Sequence, residues 1–260
     1  MVRTIIDTAD NLRDIFNQAY ISDHDFNIPV SLENRSASNL TFYNCKFNKK
    51  FTFLGYKQDL IFENCHFQEL NFQYALFVKK VRFRECHFHK ETNFTNTKFN
   101  DLADFWRSIF HKKTIFYKTD FLGTTVFSAV EFRENVLFTY TLIDRLIIFR
   151  GTNFNKGLDL SLAIISGSIG VFDLKITHFT SLHINNKIEK GLSSEDHKSN
   201  YEEMYENAVS QDANIPIENK LETFRIIKKR LQDQGNNIMA IDFNVLEKGA
   251  LKEMIQANPI

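Results

Sequence analysis

The stretch FENCHFQELNFQYALF, residues 62–77, places phenylalanine at positions 62, 67, 72 and 77. An α-helix repeats every 3.6 residues and a strand every 2, so a spacing of five fits neither element alone. Beyond residue 77 the pattern resolves into two interleaved series, and successive members of each series are eleven positions apart. The first series is Phe83, Phe94, Phe105, Phe116, Phe127, Phe138 and Phe149, continued by Leu160, Val171 and Leu182. The second is Phe88, Phe99, Phe110, Phe121, Phe132, Ile143, Phe154, Ile165 and Ile176.

A small, β-branched or otherwise apolar residue stands two positions before each member of both series, as Val81 does before Phe83 and Cys86 before Phe88. Residues i and i+2 of an extended segment point to the same side. Each unit of five or six residues is therefore interpreted as a very short strand with both side chains inward, followed by a turn. Repeats of this kind bury their apolar faces only by stacking, which predicts a β-solenoid.

These units resemble the pentapeptide-repeat family, whose consensus is a small residue, a polar residue, a central Leu or Phe and two mostly polar residues. The resemblance covers residues 38–190 and implies a mainly β fold, a right-handed quadrilateral β-helix with four units in each coil. From residue 72 every second unit has six residues instead of five, so each coil is longer than a regular one by two positions. We expect about seven coils over 38–190, a short N-terminal cap over 1–37 with a helix within 7–21, and a C-terminal helical module over 191–260.

Cysteine and histidine supply the candidate chemistry of the repeats. Cys45, Cys65 and Cys86 each precede a phenylalanine by two positions, so we interpret them as stacked, buried core residues in preference to a metal or redox ladder. An odd number of cysteines favours reduced thiols in the cytoplasm. Four histidines are candidate metal ligands on the exterior. We expect His66 and His87 to be neighbours on adjacent coils, and His89 and His111 to be neighbours on the next face, but two ligands are few for a metal.

Charge and motifs limit the function. The net charge is −3 over residues 1–39, +7 over 40–190 and −4 over 191–260. The best-known pentapeptide-repeat proteins resemble DNA in shape and negative charge, so a basic body disfavours a regulator of a nucleic-acid enzyme such as a topoisomerase. The body also lacks the clustered basic face of a nucleic-acid binder. No phosphate-binding loop, nucleophile elbow or zinc-protease motif is present, so we expect no enzyme, no catalytic residue and no cofactor.

The C-terminal stretch 217–255 predicts two amphipathic helices broken at QGNN. Leu221, Phe224, Ile227 and Leu231 line one face of the first helix, and Ile238, Ile241, Val245 and Ala250 form a stripe on the second. The segment is similar to the module that precedes transmembrane helices in bacterial pentapeptide-repeat membrane proteins. No such helices follow here before residue 260.

We therefore expect a non-catalytic binding scaffold that uses a rigid solenoid and C-terminal helices. The expected partner is a second copy, giving a homodimer, or a membrane-bound protein, with the chain in the cytoplasm or at the inner face of a bacterial membrane. The predicted interaction residues are Leu221, Phe224, Ile227, Leu231, Ile241, Val245 and the single tryptophan, Trp106, which follows Phe105 and should face outward. A metal-binding protein that uses the stacked histidines is the remaining alternative.

Overall fold

The repeat body is a β-solenoid in which every strand pairs in parallel with the strand one coil away. The computed structural model describes residues 3–32, 38–182, 194–210 and 212–257. The strands form four faces, which confirms the predicted quadrilateral β-solenoid. Face 1 contains Tyr20–Ser22, Leu40–Tyr43, Leu60–Glu63, Val81–Arg84, Ala103–Asp104, Thr125–Val126, Leu146–Arg150 and Ser168–Phe172.

Faces 2 and 3 share two long strands, Lys46–Phe53 and His66–Asn71, which bend from one face onto the other. Face 2 also contains Thr4–Ile6, His24–Phe26, His87–Phe88, Ile109–Phe110, Glu131–Phe132, Asn153–Phe154 and Lys175–Ile176. Face 3 also contains Val30–Leu32, Thr92–Asn93, Thr114–Ile115, Val136–Leu137 and Leu158–Asp159. Face 4 contains Gly55–Tyr56, Leu76–Phe77, Lys98–Phe99, Asp120–Phe121, Leu142–Ile143 and Ile164–Ile165.

Strand register shows how the coil lengthens. Phe62 pairs with Phe42 in the preceding coil and with Phe83 in the following coil. The number of residues from Phe62 to Phe83 exceeds that from Phe42 to Phe62 by one. The following coil, from Val81 to its partner Ala103, is longer by one further residue. In the described part of the solenoid, left-handed backbone conformations occur at two opposite corners, after faces 1 and 3. Those corners belong to the units of five, so the extra residue lies in the two corners that turn without a left-handed residue.

The core consists of phenylalanine columns that run through the coils. Phe94, Phe116 and Phe138 form one column, with stacked rings whose centroids are 4.8 Å apart at both steps. The small residue two positions before each phenylalanine is also inward. At Thr119 the hydroxyl donates a 2.7 Å hydrogen bond to the Phe94 carbonyl of an earlier coil. This polar side chain is accommodated in the core because its hydrogen bond is satisfied, whereas the buried Thr125 hydroxyl has no hydrogen-bond partner among the described residues.

Solenoid pairing begins well before residue 38. The Thr4–Ile6 strand pairs with His24–Phe26, and Val30–Leu32 pairs with the Phe51–Phe53 part of the next coil. Face 1 therefore has eight strands, one more than the expected seven coils. The helix predicted within 7–21 is shorter, α1 (Ala9–Ile15), and Thr8 caps it. The predicted domain boundary between residues 190 and 191 lies outside the described residues.

Three further helices follow the solenoid: α2 (Ser194–Ser210), α3 (Ile217–Asp233) and α4 (Asn237–Ala257). Helix α3 covers the open end of the last coil, where backbone groups lack a next strand. The Thr223 hydroxyl accepts a 2.9 Å hydrogen bond from the Leu160 amide, and the Gln234 amide donates a 2.6 Å bond to the Ile169 carbonyl. A covered edge does not pair with other chains.

A second set of contacts holds the segment after α2 against face 3. Ile115, Leu137 and Ile215 form a separate small apolar cluster, and Asn135 donates a 3.0 Å hydrogen bond to the Ala213 carbonyl. Asp159, also on face 3, is fully buried and accepts a 2.8 Å hydrogen bond from the Asn219 amide of α3. Burial raises the pKa of the Asp159 carboxyl. The helical module is therefore joined to the solenoid by polar as well as apolar contacts.

Replacing Phe116 with alanine tests the register of the core. The Phe116 side chain is fully buried in the middle of a column, so the truncation should cost about 3–5 kcal/mol of unfolding free energy. Phe172→Ala is the matched control, because Phe172 is 58% exposed and its loss should cost under about 1 kcal/mol. Chemical denaturation of the three proteins measures both values. Equal midpoints for Phe116→Ala and wild type would contradict the core position.

Candidate interaction surfaces

The four candidate histidines lie together on face 2. His66 and His87 stack with ring centroids 4.6 Å apart, and His89 and His111 stack at 4.8 Å. The two pairs share one face, which corrects the expectation that His89 and His111 occupy the next one. The physical reason is that His87 and His89 flank the inward Phe88, so both side chains leave the same strand outward.

The histidine pairs are also joined laterally. His66 Nδ1 lies 3.1 Å from His89 Nε2, and His87 Nδ1 lies 3.3 Å from His111 Nε2. Each distance fits a hydrogen bond in which one neutral imidazole donates and the other accepts. Burial, with the neighbouring charges of His87 and His89, lowers the pKa of His66 to about 4. Burial also lowers the pKa of the other three imidazoles.

The histidine cluster does not form a preorganised metal centre. Within residues 3–32, 38–182, 194–210 and 212–257, no group of three or more His, Cys, Asp or Glu side chains could hold a metal ion. Structural zinc takes four ligands and catalytic zinc takes three protein ligands. The Arg133 guanidinium lies 3.1 Å from His111 Nδ1 and adds positive charge beside the cluster. The arrangement best fits a stack of neutral, hydrogen-bonded imidazoles.

The three cysteines are core residues, as the sequence predicts. All three are fully buried and free, and each thiol lies 3.4 to 3.6 Å from a backbone carbonyl of its own or the preceding coil. The thiol contact with Cys65, together with burial, raises the pKa of Cys45, and burial raises that of Cys65. These thiols therefore occupy the position that threonine and serine hold in later coils.

A groove on face 1 was not predicted. It has a volume of about 730 Å³ and lies between two exposed rings, Trp106 and Phe172, which are 37% and 58% exposed. These two side chains occupy the same outward column, three coils apart, which corresponds to about 14 Å along the solenoid. Ser128 and Arg150 stand between them in that column, and the small residues Ser128, Ala129 and Gly151 form the floor. The groove exists because side chains are short at these positions.

An arginine guanidinium lies against each of the two rings that form the walls of the groove. The Arg107 guanidinium lies 4.6 Å from the Trp106 ring centroid, and the Arg150 guanidinium lies 5.6 Å from that of Phe172. At the Trp106 end, Arg84 contacts the buried Asp104 carboxylate at 2.7 Å. Trp106 faces outward as predicted. The sequence alone did not indicate that Phe172 forms the opposite wall of a groove.

The predicted interaction residues divide into buried and exposed groups. On α3 the predicted stripe, Leu221, Phe224, Ile227 and Leu231, is buried between the last coil and α4. It holds α3 and α4 to the solenoid and is not available to a partner. On α4 the residues that pack inward are Ala240, Phe243 and Ala250.

The outer face of α4 is apolar as well. Ile238 is 81% exposed, and Ile241 and Val245 are each 64% exposed. Leu246, Leu251 and Ile255 add 37% to 56% exposed apolar side chains at its flanks. The stripe that spacing assigned to the second helix is thus mainly its outward face. We refer to Ile238, Ile241 and Val245 as the α4 outer stripe.

The length and hydropathy of a helix determine whether it can cross a membrane. None of the helices in the described part of the chain combines the length and apolar character needed to cross a membrane.

Acidification should weaken the solenoid through the histidine cluster. An imidazole in an unfolded chain has a pKa near 6.5, and in the folded protein that of His66 is about 4. Between these values the unfolded state binds more protons, so stability present above about pH 6.5 is lost as the pH falls toward 4. The cationic Lys46, Arg3 and Arg133 near the cluster act in the same direction, and Glu131 acts against it.

Thermal unfolding of wild type, His66→Gln and His178→Gln at pH 7.5 and pH 5 measures this effect. His178 is exposed outside the cluster and serves as the control. The His66→Gln protein should lose less of its melting temperature on acidification than the other two. An equal loss in all three proteins would show that the cluster does not control the pH dependence.

The repeat body also matches a known family model. Residues 72–120 match the model described as pentapeptide repeats (9 copies). None of the curated proteins or solved structures compared with the chain gives a match. The matched residues span coils in which the phenylalanine columns, the inward small residues and the four faces are all present. The predicted β-solenoid therefore contains pentapeptide repeats over residues 72–120, as the sequence resemblance predicts.

Proposed function

We propose that this chain is a non-catalytic binding protein that pairs with a second copy through the outer stripe of α4. The observation that carries the proposal is the exposure of Ile238, Ile241 and Val245 on a helix whose opposite side is already buried. Apolar side chains grouped on one exposed helix face are typical of protein interaction sites. The rigid solenoid would then hold its outward faces in a fixed orientation relative to the pair.

Charge around the stripe favours an antiparallel pair. Asp242 lies in the first half of α4, and Lys248 and Lys252 lie in the second half. Pairing centred near Val245 places Asp242 of one copy beside Lys248 of the other. It also places Ile241 beside Gly249, where a Cβ atom would meet nothing within 4 Å, so two helices could approach closely. A parallel pair would instead place like charges together.

A second copy is the simplest occupant of this surface. Two-fold pairing is the commonest form of association among soluble chains, and it needs no other molecule. A membrane-bound partner is the other occupant that the resemblance of the C-terminal segment implies. The nucleic-acid and metal alternatives gain less support. The basic residues of the repeat body are dispersed, and within the described part of the chain the four histidine side chains hydrogen-bond to each other and to Arg133.

The mass in solution tests the proposal. The chain has a mass of 30.5 kDa, and we expect the wild-type protein to show twice that mass at micromolar concentration. Val245→Glu and Ile241→Glu place a buried charge in the pair, so each should raise the dissociation constant at least about 100-fold and yield monomers. Light scattering coupled to size exclusion measures the masses.

Lys229→Glu is the matched control. It introduces the same side chain at an exposed position on α3, outside the outer stripe, and should leave the pair intact. A wild-type protein that stays at 30.5 kDa at high micromolar concentration would refute self-association. So would glutamate variants that pair as well as wild type.

A further inference from the structure

We infer that the groove on face 1 binds an extended protein segment in which an acidic residue stands between apolar side chains. This inference deepens the binding role proposed above, but it uses a surface separate from the α4 outer stripe. It follows from three independent features of the groove: an arginine without a carboxylate partner among the described residues, the exposed rings and the open shape.

The first feature is Arg150. The other two arginines beside the groove have carboxylate partners: Arg84 contacts Asp104 at 2.7 Å and Arg107 contacts Glu85 at 3.4 Å. Arg150 has no carboxylate partner among the described residues, and its one described side-chain contact is with the Phe172 ring. A guanidinium offers five N–H donors in a planar fork that suits a carboxylate. Asp173, the other carboxylate that lines the groove besides Asp104, lies 4.0 Å from Lys175 and not against Arg150. Arg150 is therefore the arginine of the groove that remains open to the carboxylate of a partner.

The second feature is the pair of rings. The sequence has 27 phenylalanines, and Phe172 is the most exposed of them. Val126 and Leu102 also line the groove, so its apolar lining continues from Trp106 toward Phe172. Such a lining loses its contact with water when apolar side chains of a partner cover it. The expected neighbours of the partner's carboxylate are therefore apolar.

The third feature is the form of the groove. It is open to solvent along its length, whereas sites for small molecules enclose most of the ligand surface. The distance of about 14 Å between its walls matches about four residues of an extended chain at about 3.3 Å each. A segment of a larger protein fits this shape better than a free small molecule.

Trp106 provides the readout, because it is the only tryptophan in the chain. The probes are three capped heptapeptides without aromatic residues, with a central glutamate, glutamine or lysine between pairs of leucines. We expect the glutamate peptide to change Trp106 emission saturably. The glutamine peptide should bind about tenfold more weakly, as expected for the loss of one charge-assisted hydrogen bond, and the lysine peptide more weakly still.

Variants locate the binding site. Arg150→Ala should weaken the glutamate peptide about tenfold and leave the glutamine peptide unchanged. Arg145→Ala is the matched control, because Arg145 is an exposed arginine of the same coil outside the groove. Ala129→Gln should fill the floor and weaken both peptides. Its left-handed backbone is the conformation that Glu85 and Arg107 adopt in the same column, so the variant should fold normally.

Several results would overturn the inference. These are no saturable emission change with the glutamate peptide at millimolar concentration, equal binding of the lysine peptide, or no effect of Arg150→Ala. Binding of phenylacetate without binding of the peptide would also overturn it and identify a small-carboxylate pocket instead. The solution mass of Arg150→Ala should equal that of wild type, so failure at the groove and failure of pairing through α4 give different results.

Discussion

The stacking of phenylalanine rings from coil to coil is the interaction on which this structure depends. Most strands span only two residues, and a pair of that length forms too few hydrogen bonds to be stable alone. The columns of stacked phenylalanine rings supply the stability that these short hydrogen-bonded strand pairs lack. Centroids in successive coils are 5.1 Å apart between Phe62 and Phe83 and 4.4 Å apart between Phe88 and Phe110. Each ring thus fixes the register of the next coil while it removes apolar surface from water.

The same geometry leaves the outward side chains free to vary. Inward positions must fill a column of constant width, whereas outward positions have no comparable packing requirement. Departures from an ordinary polar exterior are therefore informative about binding. Face 1 departs in its second half, where exposed Trp106 and Phe172 flank small residues, and face 2 departs at its histidine cluster. The former offers an apolar surface beside Arg150, and the latter offers groups that titrate.

The sequence predicts the structural features that repeat from coil to coil. It does not predict features that residues from several coils form together. The phenylalanine period predicts the solenoid and the buried cysteines, whereas the four faces were an implication of the family resemblance. The first coil was missed because Phe26 alone carries the aromatic signal there, while Ile21, Val30 and Leu32 fill the other inward positions. The groove could not be anticipated, since it arises from short side chains that become neighbours only after coiling. On α4, helical spacing finds apolar residues on both sides, and only packing distinguishes the buried from the exposed side.

The two ends of the rod explain why the helices differ. A stack of parallel strands exposes unpaired backbone groups at each end; α3 covers those of the last coil, and Leu12 and Ile15 of α1 pack against the core. Helix α3 uses its whole apolar face for this purpose, and α4 shields α3 with Phe243 and its small neighbours. Nothing in the described part of the chain then remains for Ile238, Ile241 and Val245 to pack against. Their exposure to water is unfavourable and stabilises nothing within one chain, which is the physical reason for placing a binding surface on that face of α4.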